Sequence, residues 1–146
     1  MGEWLRFTIF AALGLCIGII DFRTLKIPNL LLILLISTLV GIDLLCSRKL
    51  IPYRLLAALG SFGLFYFVYR VQGGLGFGDV KYAGIIGYYL GPKLVLSGLL
   101  CAVLLGLLFW CAGRLIFQWD KGKRFSLGPW LGCGAIAAVL IQRGVT

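Results

Sequence analysis

The chain has 146 residues, of which 61% are hydrophobic and only 13% charged, and its mean hydropathy is +1.03. So little polar surface excludes an ordinary soluble domain and points to an integral membrane protein. The net charge of +9 does not indicate nucleic acid, because the fourteen Lys and Arg stand singly or in small groups between apolar blocks. Cations so placed meet lipid headgroups, and no basic stripe is available to track a phosphate backbone.

The apolar residues form continuous runs rather than alternating with polar ones, which predicts an all-α polytopic protein and not a barrel. Six spans are expected in chain order, over residues 7–20, 30–46, 55–69, 80–90, 94–112 and 127–141, each near the minimum for the hydrocarbon core. The first is kept as a span and not read as a cleaved leader, since Glu3 precedes Arg6 and no small-residue cleavage site follows the apolar run. A glycine-rich stretch, residues 73–78, leads into the short fourth block, and the most polar segment, residues 118–124, separates the last two. With no long polar linker, residues 1–146 are expected to form one membrane-embedded domain. Trp119 and Trp130, flanking the last loop, read as anchors at the membrane interface.

Five cysteines (Cys16, Cys46, Cys101, Cys111 and Cys133) lie within or beside apolar blocks, none in a Cys-x-x-Cys pair, and the chain has no His. No metal site and no cofactor are expected. Placing the N-terminus outside puts eight basic residues on the cytoplasmic side and six on the other, so the positive-inside rule favours that orientation.

The five carboxylates carry the most information: Glu3, Asp21, Asp43, Asp79 and Asp120. Ionisable groups near hydrocarbon cost a few kcal/mol each, about 3 on insertion scales, and those retained usually serve function. Asp21 ends the first expected span and Asp79 begins the fourth, so with two spans between them both fall on one face. Asp43 falls on the opposite face, and Asp120 sits in the polar loop beside Lys121. Two carboxylates converging on one face can share a proton and act on one water, as aspartyl hydrolysis requires. The structural alternatives are an N-cap role for Asp79 and an interfacial role for Asp21. The helix-end dipoles bias the shared proton toward Asp21, at a C-terminal end, and leave Asp79, at an N-terminal end, as the base. Replacing Asp43 or Asp120 is expected to leave most activity intact.

Three segments together resemble the prepilin peptidases, membrane aspartyl enzymes that trim the leaders of type IV pilin precursors. The first runs from Asp21 to Ile27-Pro28-Asn29; the second is Gly76-Phe77-Gly78-Asp79-Val80-Lys81; the third is Leu127-Gly128-Pro129-Trp130-Leu131. The resemblance implies that Asp21 and Asp79 are the catalytic pair. It also implies that Pro28, Asn29, Gly76, Gly78, Lys81, Gly128 and Pro129 shape the site or touch substrate. The implied substrates are prepilin or pseudopilin precursors, cut at the cytoplasmic face of the inner membrane by a multi-pass enzyme that uses no cofactor. Many relatives carry an additional cysteine-paired cytoplasmic region and methylate the new N-terminus. This sequence has no such pairs and is similar to the short, peptidase-only form. Presenilin-like enzymes share Gly-x-Gly-Asp but place their first Asp after Tyr, whereas here Ile20 precedes Asp21. The reading from another class is a small transport or assembly protein whose acids couple ions or pack helices.

Overall fold

The computed structural model describes residues 2–24, 26–72, 76–116 and 127–145 and is all-helical there. The elements are α1 (Gly2–Thr24), α2 (Asn29–Cys46), a 3-10 turn (Arg48–Leu50), α3 (Ile51–Gln72), α4 (Phe77–Ile116) and α5 (Gly128–Val145). Pro28 stands in an extended conformation before α2, and its carbonyl accepts from the N–H groups of Leu31 (3.1 Å) and Leu32 (3.4 Å). It therefore starts the helix without costing it a hydrogen bond. The expected loop residues Gly73, Gly74, Trp119, Asp120, Lys121, Lys123 and Arg124 lie outside the described residues.

Four helices among the described residues are long and apolar enough to cross a membrane, and α5 is apolar but shorter. The sequence expectation of six spans is thus not met by six separate helices of spanning length. The expected spans at 80–90 and 94–112 fall within one continuous helical segment, α4, interrupted only at Gly91 (φ 69°, ψ 178°). Pro92 follows at the first position of a new rod, where its missing N–H removes nothing the helix needs.

That interruption turns the chain back. In a straight helix Leu90 and Gly98 would be about 12 Å apart along the axis, yet a Cβ on Gly98 would collide with the Leu90 side chain. The residues after Gly91 then run antiparallel to α5. Ala102 Cα lies 2.6 Å from where a Cβ on Gly134 would stand, and Phe109 packs its ring 4.5 Å from that of Trp130. Trp130 is therefore held against a neighbouring helix. The residues before Gly91 run antiparallel to α3, where Gly84 meets Phe62 and Gly87 meets Ala57 and Ser61. They also run antiparallel to α1, where Phe10 stacks on Tyr89 with ring centroids 3.9 Å apart.

The bundle is apolar outside as well as in. Between 22 and 33% of each spanning window is buried, and Leu30, Leu45, Leu56, Leu59, Leu96 and Leu108 are among the large apolar side chains left exposed. In water this surface would aggregate; facing acyl chains it is the expected lipid contact. The interior holds aliphatic side chains such as Ile17, Leu35, Leu39 and Ile86, together with buried tyrosines and a few charges. At one end of the bundle Asp43, fully buried, pairs with Arg6 (3.3 Å) and with Arg54, and both arginines also reach Glu3. The Arg6 guanidinium further donates to the Tyr89 carbonyl (3.1 Å). This network ties α1, α2, α3 and α4 together. The five cysteines are free thiols.

Candidate active site

The opposite end of the bundle collects all three sequence segments. Asp21 lies in the last turns of α1 and is 4% exposed. Its Oδ2 accepts a hydrogen bond from the backbone N–H of Gly128 at 3.1 Å. That N–H opens α5 and belongs to the donors that a helix start leaves without an internal partner. Close approach is what requires glycine there: a Cβ at 128 would stand 2.6 Å from Asp21 Oδ2 and 3.1 Å from its Cγ. One turn earlier in α1, a Cβ on Gly18 would lie 3.3 Å from Pro129 Cα, so α1 and α5 touch almost backbone to backbone.

Asp79 enters from α4. Its N–H donates to the Gly76 carbonyl (3.0 Å), which sets the first turn of the helix. The side chain is 9% exposed, and its Oδ1 is buried without a hydrogen-bond partner among the described residues. The carboxylates of Asp79 and Asp21 lie within Coulombic reach of each other. The glycines flanking Phe77 fit closely: a Cβ on Gly76 would lie 3.1 Å from Asp79 Oδ2, and one on Gly78 would lie 3.1 Å from the Cβ of Ile27.

Lys81, two residues after Asp79 in α4, donates to Asn29 Oδ1 at 3.0 Å and lies 5.0 Å from the centre of the Phe77 ring. Ile27 and Asn29 thus lean on Gly78 and Lys81, and the loop from α1 to α2 is pinned against the start of α4. Pro28 contributes through the start of α2, and Pro129 through its contact with Gly18. Asp43 stands at the far end within its arginine pair.

Both aspartates therefore face a helix N-terminus, Asp79 that of its own α4 and Asp21 that of α5. The α5 N–H bond to Asp21 opposes the α1 C-terminal dipole, a contribution that the sequence does not reveal.

Sequence reasoning missed the groove beside this pair. A cavity of about 270 Å³ runs between α1 and α5, lined among others by Gly14, Gly18, Phe22, Pro129 and Gly132. Tyr82, fully buried, places its hydroxyl at the top of the same seam, 3.2 Å from a Cβ built at Gly14 and 3.0 Å from one built at Gly132. The available signal was the four-residue spacing of Gly14 with Gly18 and of Gly128 with Gly132, the small-residue pattern that lets membrane helices approach closely.

Fold and site together define a multi-pass helical membrane protein that brings two buried aspartates to one end of its bundle. The Type IV leader peptidase family matches residues 8–111, and the chain belongs to that family. The chain is 32% identical over 140 residues to the leader peptidase HopD of Salmonella typhimurium, covering 87% of each. It is 28% identical over 133 residues to the prepilin leader peptidase/N-methyltransferase of Bacillus subtilis, covering 90% of this chain and 54% of that protein. The corresponding protein of Pectobacterium carotovorum is 27% identical over 134 residues, covering 88% of this chain and 48% of its own length. The chain thus spans about half the length of these two methyltransferase-named relatives. No solved structure matches it. Gly128 and Pro129 lie beyond the matched residues, and it is the Gly128 hydrogen bond to Asp21 that ties their segment to the other two.

Proposed function

We propose that the chain is a membrane aspartyl endopeptidase that removes the leader of prepilin-like or pseudopilin precursors. In this reading residues 1–146 act as one membrane-embedded unit, with Asp21 and Asp79 as the reacting pair on the cytoplasmic side of the inner membrane. The observation that carries it is the placement of these two buried carboxylates at the same end of the bundle, one of them held by the Gly128 N–H. Family membership supports the substrate class.

In the proposed reaction the pair holds one proton. The ionised carboxylate takes a proton from water, whose oxygen attacks the scissile carbonyl, while the protonated partner donates to the carbonyl oxygen. The tetrahedral gem-diol then collapses: one of its hydroxyls returns a proton to the carboxylate that had donated, the C–N bond breaks, and the leaving amine takes the proton first removed from water. The pair is left singly protonated, ready for another turnover. Glycine at 76, 78 and 128 lets Asp79, Ile27 and Asp21 pack directly against the backbone at those positions. Lys81, Asn29, Pro28 and Pro129 hold the surrounding backbone.

The turn at Gly91 supports a six-crossing arrangement in which α4 supplies two passes and α5 the last. The first rod, 77–90, is about 21 Å long. It falls short of a ~30 Å hydrocarbon core, so Asp79 sits below the interface in a locally wetted pocket.

The test is coexpression with a candidate prepilin, reading leader removal as a gel shift. Wild-type protein should convert the precursor, and Asp21→Asn and Asp79→Asn should leave it uncut while still inserting. Substantial cleavage by either variant would end the aspartyl mechanism. A failure of the wild type to cut any prepilin-type leader would favour the non-enzymatic alternative.

A further inference from the structure

At the end of the bundle away from the aspartate pair, a cavity of about 640 Å³ opens between the N-terminus of α1, the start of α3 and the break in α4. Three cations line it: Arg6 and Arg54, both nearly buried, and Lys93, exposed at the rim. Their charges are not equally satisfied. Arg6 and Arg54 share two carboxylates, Asp43 and Glu3, so these four residues sum to zero. Lys93 has no ion pair or hydrogen bond among the described residues, and it leaves the cavity with a net positive charge. The Nε of the buried Arg6 lies 3.3 Å from Asp43 Oδ1 but makes no hydrogen bond among the described residues. The turn at Gly91 is what brings Lys93 to this cavity, two residues beyond the break.

The surroundings state what kind of anion would fit. Leu50 and Leu94 form part of the wall, and Tyr53, 61% exposed, stands at the mouth among outward-facing leucines of α3. The cavity therefore lies where helix ends meet headgroups, and its opening is continuous with the surface that faces acyl chains. A basic pocket between helices at that level matches the chemistry of a phosphate headgroup, and a phenol beside it suits the interface.

We propose that this cavity seats the phosphate headgroup of an anionic glycerophospholipid, with Lys93 and the outer edges of Arg6 and Arg54 facing the phosphate and the acyl chains running down the outside of α3 and α4. The seat lies at the opposite end from the aspartates, and the inference does not depend on the peptidase reading. Lipid bound there would brace the turn at Gly91 and, through Arg6 and Arg54, the junction of four helices.

The full chain, purified in a nonionic detergent at low ionic strength, would be titrated with phosphatidylglycerol, with phosphatidylcholine and with inorganic phosphate. Retained lipid would be counted by native mass spectrometry and the thermal midpoint followed in parallel. Phosphatidylglycerol should bind more tightly than phosphatidylcholine and raise the midpoint, and inorganic phosphate should do neither at matching concentration. Lys93→Gln should weaken phosphatidylglycerol about fivefold, the contribution of one basic residue near a charged membrane surface. It should leave the lipid-free midpoint unchanged, and Lys93→Arg should restore binding. Equal affinity for the two lipids, or an unaltered Lys93→Gln variant, would overturn the proposal. Stabilisation by inorganic phosphate equal to that by phosphatidylglycerol would show a free-anion site instead and would also overturn it.

Discussion

Asp43 and Asp79 show how a carboxylate's surroundings decide what its loss would do. Asp43 has no exposure and sits between two guanidiniums; the sequence expectation for its replacement concerned activity, and its surroundings add a cost in stability. Asp43→Asn would leave Arg6 and Arg54 buried with only the exposed Glu3 to balance them. Breaking one partner of a buried pair costs about 3–5 kcal/mol, and a marked fall of the thermal midpoint in detergent is the expected result. Asp79 has an oxygen with no described partner, so Asp79→Asn should leave the thermal midpoint nearly unchanged while removing cleavage. Gly128 supplies a third case. In Gly128→Ala the new methyl would stand 2.6 Å from Asp21 Oδ2 and push the carboxylate from the α5 N–H. Displacing a reacting group by about 1 Å costs on the order of 100-fold in rate. Leader removal should fall by about that factor in a quantitative time course, with insertion intact. A variant that cuts at the wild-type rate would show that Asp21 does not need this contact.

Glycines set how closely several of the helices approach. Gly84 and Gly87 let α3 approach the first rod of α4, and Gly134 lets α5 approach the second. The strongest single demand is at Gly91, whose φ of 69° with ψ near 178° is a conformation that only glycine adopts readily. Gly91→Ala should therefore destabilise the bundle by about 1–3 kcal/mol, read as a lower midpoint of thermal unfolding. Gly87→Ala acts by crowding instead. Its Cβ would meet Ser61 Oγ and stand 2.6 Å from the Ala57 carbonyl oxygen. Backbone cannot turn aside as a side-chain tip can, so α3 and α4 must part, at a cost of about 1–3 kcal/mol for an overpacked site. If Gly91→Ala were neutral, the turn would tolerate an ordinary residue and the fold-back of α4 would lose its local cause.

For the molecule as a whole, the turn at Gly91 determines which side each loop meets. Because α4 doubles back, Lys93 shares an end with Arg6 and Asp43, while Lys26 shares the other with Asp21 and Asp79. Single cysteines placed at positions 26 and 93 of a cysteine-free variant should react with a membrane-impermeant thiol reagent from opposite sides. Position 26 should be the cytoplasmic one if the excess of basic residues orients the bundle. Labelling of both from one side would remove the six-crossing arrangement.

Composition and the run lengths of apolar residues were enough to determine that this is a polytopic helical membrane protein. The order of three short segments was enough to indicate its family. Both are properties of stretches of chain, and the alternation of sides along a membrane chain even placed Asp21 and Asp79 on one face by counting. Only the tertiary structure decided which residues touch. Arg6, Asp43 and Arg54 read separately in the sequence, since nothing local links Asp43 to an arginine 37 positions before it and another 11 positions after it. The hydrogen bond from Gly128 to Asp21 joins residues 107 positions apart, and the Gly-Pro segment by itself was only a helix start. Hydropathy measures how each residue partitions between water and lipid. Pairing depends on how closely two backbones approach, and the glycines settle that only when both helices are in place.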